Sequence, residues 1–140
     1  MVTDSTGRSE RVGNVVGVLE GRRVSIRCRA FTEVVSWNDI IVARSAGNST
    51  VIETREGSLK VPCPLRFVVN RLSGLGLIQI HRSVAVNSDK VRRLRGAGRH
   101  RLSVDLEGQL TFDVGRNFQN TVRHQFGGGQ VVAPKLVSTP

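Results

Sequence analysis

Arginine, asparagine and serine stand at the edges of short apolar runs in this chain, and these side chains hydrogen-bond bases and phosphates. The stretch IHRSVAVNSDKV, Ile80 to Val91, sets His81, Arg82 and Ser83 directly before Val84, Ala85 and Val86. The apolar run can anchor in a core while the polar triplet projects. VGRN, Val114 to Asn117, repeats the design around Arg116. A guanidinium can donate two parallel hydrogen bonds to guanine O6 and N7, and an asparagine amide can pair with adenine. Between residues 81 and 101 there are seven Lys or Arg (Arg82, Lys90, Arg92, Arg93, Arg95, Arg99 and Arg101) against one acid, Asp89. Such a field suits a polyanion. The plainer reading of each arginine is a solvated surface charge.

Composition narrows the classes. Twenty-one Lys and Arg against 11 acids give a net charge of +10, which points to nucleic acid, an anionic membrane surface or an acidic protein. The chain has 140 residues and is 39% hydrophobic, enough for one ordinary domain with a core. G-x-S-x-G, P-loop and H-E-x-x-H motifs are missing, and His81, His100 and His124 lack metal-ligand spacing, so neither an enzyme nor a metal or cofactor site is expected. Cys28 and Cys63 form no C-x-x-C pair and read as reduced, largely buried small hydrophobes. No run of about 18 apolar residues occurs, and MVTDSTGRSE lacks the apolar core of a signal peptide. A soluble cytoplasmic protein without membrane insertion is expected. Aromatics at 4% are too sparse for a base-stacking face, which disfavours RNA or single strands.

The elements that must carry these residues are mostly strands. Val24, Ile26 and Cys28 alternate with Ser25, Arg27 and Arg29, the period of a strand with one wet face. Residues 31 to 43 suggest two more strands broken at Ser36 to Asp39, with Trp37 as a core anchor. ARSAGNST, Ala43 to Thr50, reads as an exposed loop tip. A hairpin follows, turning at Arg55, Glu56 and Gly57, and Pro62 implies an edge strand. Pro64 opens a helix that stacks Leu65, Val68, Val69 and Leu72, with Gly74 available to end it. Val91 to Arg95 and Leu102 to Leu106 flank the tip RGAGR. Leu102 to Leu106 and Leu110 to Val114 then make the cleanest hairpin. A terminal helix, RNFQNTVRHQF, stacks Phe118, Val122 and Phe126. Residues 1–21 read as a flexible lead and 127–140 as a flexible tail around one domain, 22–126.

The order of these parts resembles the LytTR DNA-binding domain of bacterial transcription regulators. IHRSVAVNSDKV is similar to the family's His-Arg-Ser, variable pair, Val-Asn motif with its later Val. WNDII is similar to the Asp-Ile lead into its second strand block, and LEGQLTFDVGRN to its glycine hairpin and late arginine. The resemblance implies a mostly β fold, an elongated stack of small antiparallel β-sheets with one or two short helices, whose loops enter successive major grooves of double-stranded DNA. It implies base-reading roles for Asn48, Arg82 and Arg116, and phosphate-holding roles for Ser83 and Asn117. His81 either anchors its loop or reaches DNA, anchoring being favoured. Arg92, Arg93 and Arg99 belong to a cationic hairpin suited to backbone contacts. Val84 and Ala85 are smaller than the family's usual pair, and Gly115 stands where serine is common.

The expected function is sequence-specific transcriptional regulation, with two copies on repeated half-sites. The alternative is a stand-alone protein that binds a partner regulator and keeps it off DNA. Such domains usually follow a phosphorylatable receiver, and only about 22 residues precede this one, so receiver phosphorylation is not expected to be its switch.

Overall fold

Alternation of apolar and polar residues makes this a chain of short strands. The computed structural model describes residues 15–96 and 101–127. They form eleven strands in three antiparallel sheets with two short α-helices. The chain divides into two units, one running up to Ile78 and including Ser83–Asp89, the other made of Gln79–Arg82 and the residues from Lys90 onward.

In the first unit, β1 (Val16–Leu19), β2 (Arg23–Arg27) and β3 (Thr32–Ser36) form an antiparallel meander. The pairs Val16↔Ile26 and Val24↔Val35 put Val16, Val24 and Ile26 on its buried face. Within the lead expected over residues 1–21, β1 is a strand, and just before it the Val15 carbonyl accepts from the Arg27 amide at 2.8 Å. Gly17 hid this strand by interrupting its apolar run. A Cβ there would lie 2.9 Å from Ser25 Oγ, so a larger residue would require the Ser25 side chain to turn away.

A 3₁₀ turn, Trp37–Asp39, is capped by Ser36 Oγ, which accepts from the Asn38 amide. It feeds β4 (Ile40–Ala46), β5 (Ser49–Thr54) and β6 (Gly57–Val61). β4 and β5 are joined by Gly47 and Asn48 alone, and φ of 65° at Gly47 makes this a tight hairpin with glycine at the first central position. Helix α1 (Leu65–Leu72) starts after Pro64 and buries Leu65, Val68 and Leu72. It does not stop at Gly74. One 3₁₀ turn, Ser73–Leu75, follows, and Gly76 breaks the helical path with φ of 116°. β7 (Leu77–His81) and β8 (Val84–Asn87) complete the sheet order β6-β5-β4-β8-β7, with β6 at an edge, as Pro62 demands.

Trp37, Ile40, Ile52, Val68 and Leu72 are fully buried in this unit's core. Asn87 is buried with them. Its Nδ2 donates to the carbonyls of Trp37 at 3.1 Å and Ile40 at 2.8 Å, and its Oδ1 accepts from the Asp89 amide at 2.8 Å. The Asp89 carboxylate in turn accepts from the Trp37 indole N–H at 3.2 Å and pairs with Arg22 at 3.4 Å.

In the second unit, β10 (Leu102–Leu106) lies between β9 (Val91–Gly96) and β11 (Leu110–Asp113). Leu102, Val104 and Leu106 are buried. The β10–β11 turn uses Gly108 and Gln109, both at positive φ. The terminal helix begins as a 3₁₀ turn, Arg116–Phe118, and becomes α2 (Gln119–Phe126), which buries Val122 and ends at Gly127 with φ of 75°. Lys90 is buried and its ammonium lies 3.7 Å from the Glu107 carboxylate.

Truncating Asn87 to Ala removes the donor to the Ile40 carbonyl and the acceptor of the Asp89 amide, and leaves the Trp37 carbonyl with the Ile40 amide alone, at about 1–3 kcal/mol for each unsatisfied group. Urea unfolding of Asn87→Ala should show a loss of about 2 kcal/mol or more. Asn87→Asp should be no better, since it presents an acceptor to two carbonyls. Stability within about 0.5 kcal/mol of wild type for both variants would show that the clamp is not holding the fold.

Candidate nucleic-acid interface

Arg82 and Ser83 are the whole turn between β7 and β8, and Arg82 is exposed while Ser83 is half-buried. The turn is braced from its own strand. Gln79 Nε2 donates to the carbonyls of His81 at 3.2 Å and Arg82 at 3.4 Å. Arg116 opens the 3₁₀ turn after β11, exposed, with exposed Asn117 beside it.

These two loops come together. The Gly115 amide donates to the Ile80 carbonyl at 2.7 Å, so the segment that delivers Arg116 is bonded to the strand that delivers Arg82. A Cβ at Gly115 would lie 3.4 Å from His81 Cδ2, 3.5 Å from His81 Cα and 3.2 Å from Phe118 Cδ2. Gly115 thus rests on half-buried His81, and Arg82 and Arg116 are the residues that follow this contact.

Asn48 is exposed at the tip of the β4–β5 hairpin. Three positions before it, the Ser45 amide donates to the Ser83 carbonyl at 2.9 Å, which fastens the root of that hairpin to the backbone of Ser83.

The cationic hairpin is more structured than its composition shows. Leu106 pairs with Val91 while Asp105 pairs with Arg93, so Arg92 is the extra residue of a β-bulge and is exposed. Bulges re-aim side chains in this way. Arg93 and Arg95 both face Asp105. Arg95 donates through Nε and Nη2 at 2.9 Å each, Arg93 Nη1 lies at 3.7 Å, and Thr111 Oγ1 donates at 3.0 Å. The hydrogen bonds from Arg95 hold the Asp105 carboxyl below its ordinary range. Thr111 and the charges of Arg95 and Arg93 act in the same direction, against an opposing desolvation. Arg99 lies outside the described residues.

The sequence did not disclose three positioning residues. Gln79 was visible only as a polar residue inside LIQI, Asn87 only as part of a motif, and Asp105 only as an acid in a basic stretch. Cys63 is buried and Cys28 half-buried, and desolvation pushes both thiols up, which disfavours the reactive thiolate at neutral pH. Among the described residues no helix is long and apolar enough to cross a membrane.

Small antiparallel sheets that present polar residues on two-residue turns define a loop-presenting, all-β binding module. The sequence profile of the LytTr DNA-binding domain matches residues 32–127, and the chain belongs to this family. Asn48, Arg82 and Arg116 all fall inside the matched residues, whereas β1 and β2 precede them. The chain shares its fold with the LytTr DNA-binding domain of a Bacillus cereus protein described as a methyl-accepting/DNA response regulator. That match has a TM-score of 0.66 and 14% identity, and covers 76% of this chain and 97% of that one. No curated relative matches the sequence.

Freeing Arg93 and Arg95 should strengthen the cationic field. Asp105→Asn is expected to bind random-sequence duplex more tightly and to steepen its salt dependence, by about 0.9 in log–log slope for each phosphate gained. An unchanged slope would show that this face of the hairpin meets no duplex. Because the folded carboxyl is depressed, its stabilising contribution is complete above the unfolded carboxylate pKa of about 4 and is lost as pH falls through the lower folded value. The difference in melting temperature between wild type and Asp105→Asn should therefore stay constant from neutral pH down to about pH 4 and shrink below it.

Proposed function

We propose that this chain is a sequence-specific, double-stranded DNA-binding transcriptional regulator of the cytoplasm. Asn48, Arg82 and Arg116 read bases in successive major grooves. The observation that carries this reading is the Gly115–Ile80 hydrogen bond, which sets two exposed arginines on neighbouring loops in a chain whose family is a DNA-binding domain. Ser83 and Asn117 hold phosphates beside the arginines they follow, His81 anchors the Arg82 turn, and Arg92, Arg93 and Arg99 attract the duplex without choosing its sequence. Two copies occupy repeated half-sites.

The second reading is a partner-binding antagonist with little DNA affinity of its own. The exposure of Val18, Phe31 and Val34, at 48%, 53% and 48%, favours it, because apolar side chains held in water are available to a protein partner.

Selection of bound duplexes from a random pool tests the two together: enrichment of one sequence supports the regulator, and no enrichment above nonspecific binding supports the antagonist. Arg82→Ala and Arg116→Ala should each cost about 1–3 kcal/mol on the selected duplex and relax the base preference at one position. Equal loss on every sequence would make that arginine a backbone contact.

A further inference from the structure

A cleft of about 250 Å³ opens on the first unit, lined by Arg29, Ser49, Lys60 and Pro62. Its chemistry is one-sided. Among the described residues two cations and a hydroxyl line it and no acid does, and neither Arg29 nor Lys60 makes an ion pair among them. Most other cations of this unit are engaged: Arg22 by Asp89, Arg44 by Glu53, Arg55 by Asp39, and Arg71 by the Val16 carbonyl.

The strand register explains how the cleft is assembled. Val51 pairs with Lys60 and Thr50 with Val61, so Ser49 and Lys60 lie on the same face of the sheet, opposite buried Thr50 and Ile52. Arg29 comes from the turn after β2, which is closed by the Cys28 amide donating to the Phe31 carbonyl at 2.7 Å. Ser49 is the residue after Asn48. The cationic cleft therefore adjoins the hairpin tip assigned to base reading.

We propose that this cleft clamps one backbone phosphate of the bound duplex, next to the groove that Asn48 enters. The inference rests on the reading of that hairpin as groove-facing. Arg29 supplies a planar fork suited to two phosphate oxygens, Lys60 a mobile point charge and Ser49 a neutral donor. The volume lies below the roughly 300–1,000 Å³ of sites that enclose drug-sized ligands, and suits a single phosphate group on a polymer that passes by. The clamp fixes where the hairpin tip meets the duplex and carries no sequence information itself.

The test uses the full chain with Arg29→Ala and Lys60→Ala combined, on the duplex selected by wild type and on a scrambled duplex. Both residues are exposed, so the melting temperature should not move. The slope of log affinity against log salt should fall by about 0.9 on both duplexes, as for one lost phosphate, while the order of preferred sequences stays the same. Ethylation of one phosphate, flanking the base pair whose preference Asn48→Ala relaxes, should weaken wild type and leave the double variant indifferent. A control pair outside the cleft, Arg66→Ala with Arg123→Ala, should leave that phosphate's effect intact.

The clamp is overturned if the double variant keeps the wild-type slope and interference pattern, or if the control pair changes both equally. Either result on a duplex that wild type still selects sinks only the clamp. A wild-type chain that selects no duplex sinks the reading of the interface on which the clamp rests.

Discussion

One buried amide holds the loop-bearing sheet in register. The 3₁₀ turn at Trp37–Asp39 interrupts the strand ladder, and β4 opens with an irregular pairing between Ile40 and Val42. The Trp37 carbonyl accepts from the Ile40 amide that closes this turn, and Asn87, at the end of β8, donates both to it and to the Ile40 carbonyl. Buried polar groups are costly unless paired, so satisfying them ties the end of β8 to the start of β4. Trp37 sits where the same knot closes: Gly76 approaches both it and Ser88, and its φ of 116° is one that L side chains rarely adopt. With that end fixed, the pairs Val42↔Val86 and Arg44↔Val84 follow, and one residue on Ser83 meets Ser45.

The distribution of acids matters more than the net charge of +10. Asp39, Glu53, Asp89, Asp105 and Glu107 each face a cation within a sheet or at its turn. Exposed pairs of this kind stabilise a fold by about 0–1 kcal/mol. Their larger effect is local neutralisation. Arg82, Arg92 and Arg116 stay exposed and form no ion pair among the described residues, so two turns and a bulge each carry an uncompensated charge.

Strand periodicity was legible because one face of each strand is buried: Val24 with Ile26, and Leu102 with Val104 and Leu106, needed only counting. β1 was not legible, since Gly17 replaces the side chain that would have completed its pattern, and the residue closest to that glycine, Ser25, lies on another strand. The loops that carry Asn48, Arg82 and Arg116 could be placed by motif. The bonds that hold each loop could not, because the Gly115–Ile80 and Ser45–Ser83 hydrogen bonds join residues about 35 positions apart. The Asp105 clamp was hidden for a related reason: which arginines it meets depends on a bulge at Arg92, and a one-residue shift in register would send it to the other face.

Gly115 shows how one missing side chain can reshape such a surface. A serine at that position would add a hydroxyl, but its Cβ would press on the Phe118 ring at 3.2 Å and against His81 at 3.4 Å. Contacts that close require a neighbour to yield by a few tenths of an ångström, and His81 is the strand residue on which the Arg82 turn is built. Glycine removes the hydroxyl and in return lets the backbone of the Arg116 segment lie directly on β7, at the 2.7 Å of a strong amide–carbonyl bond. The spacing of Arg82 and Arg116 is then set by backbone rather than by a flexible side chain. The exposed polar side chain nearest that missing hydroxyl in sequence beyond Arg116 is Asn117.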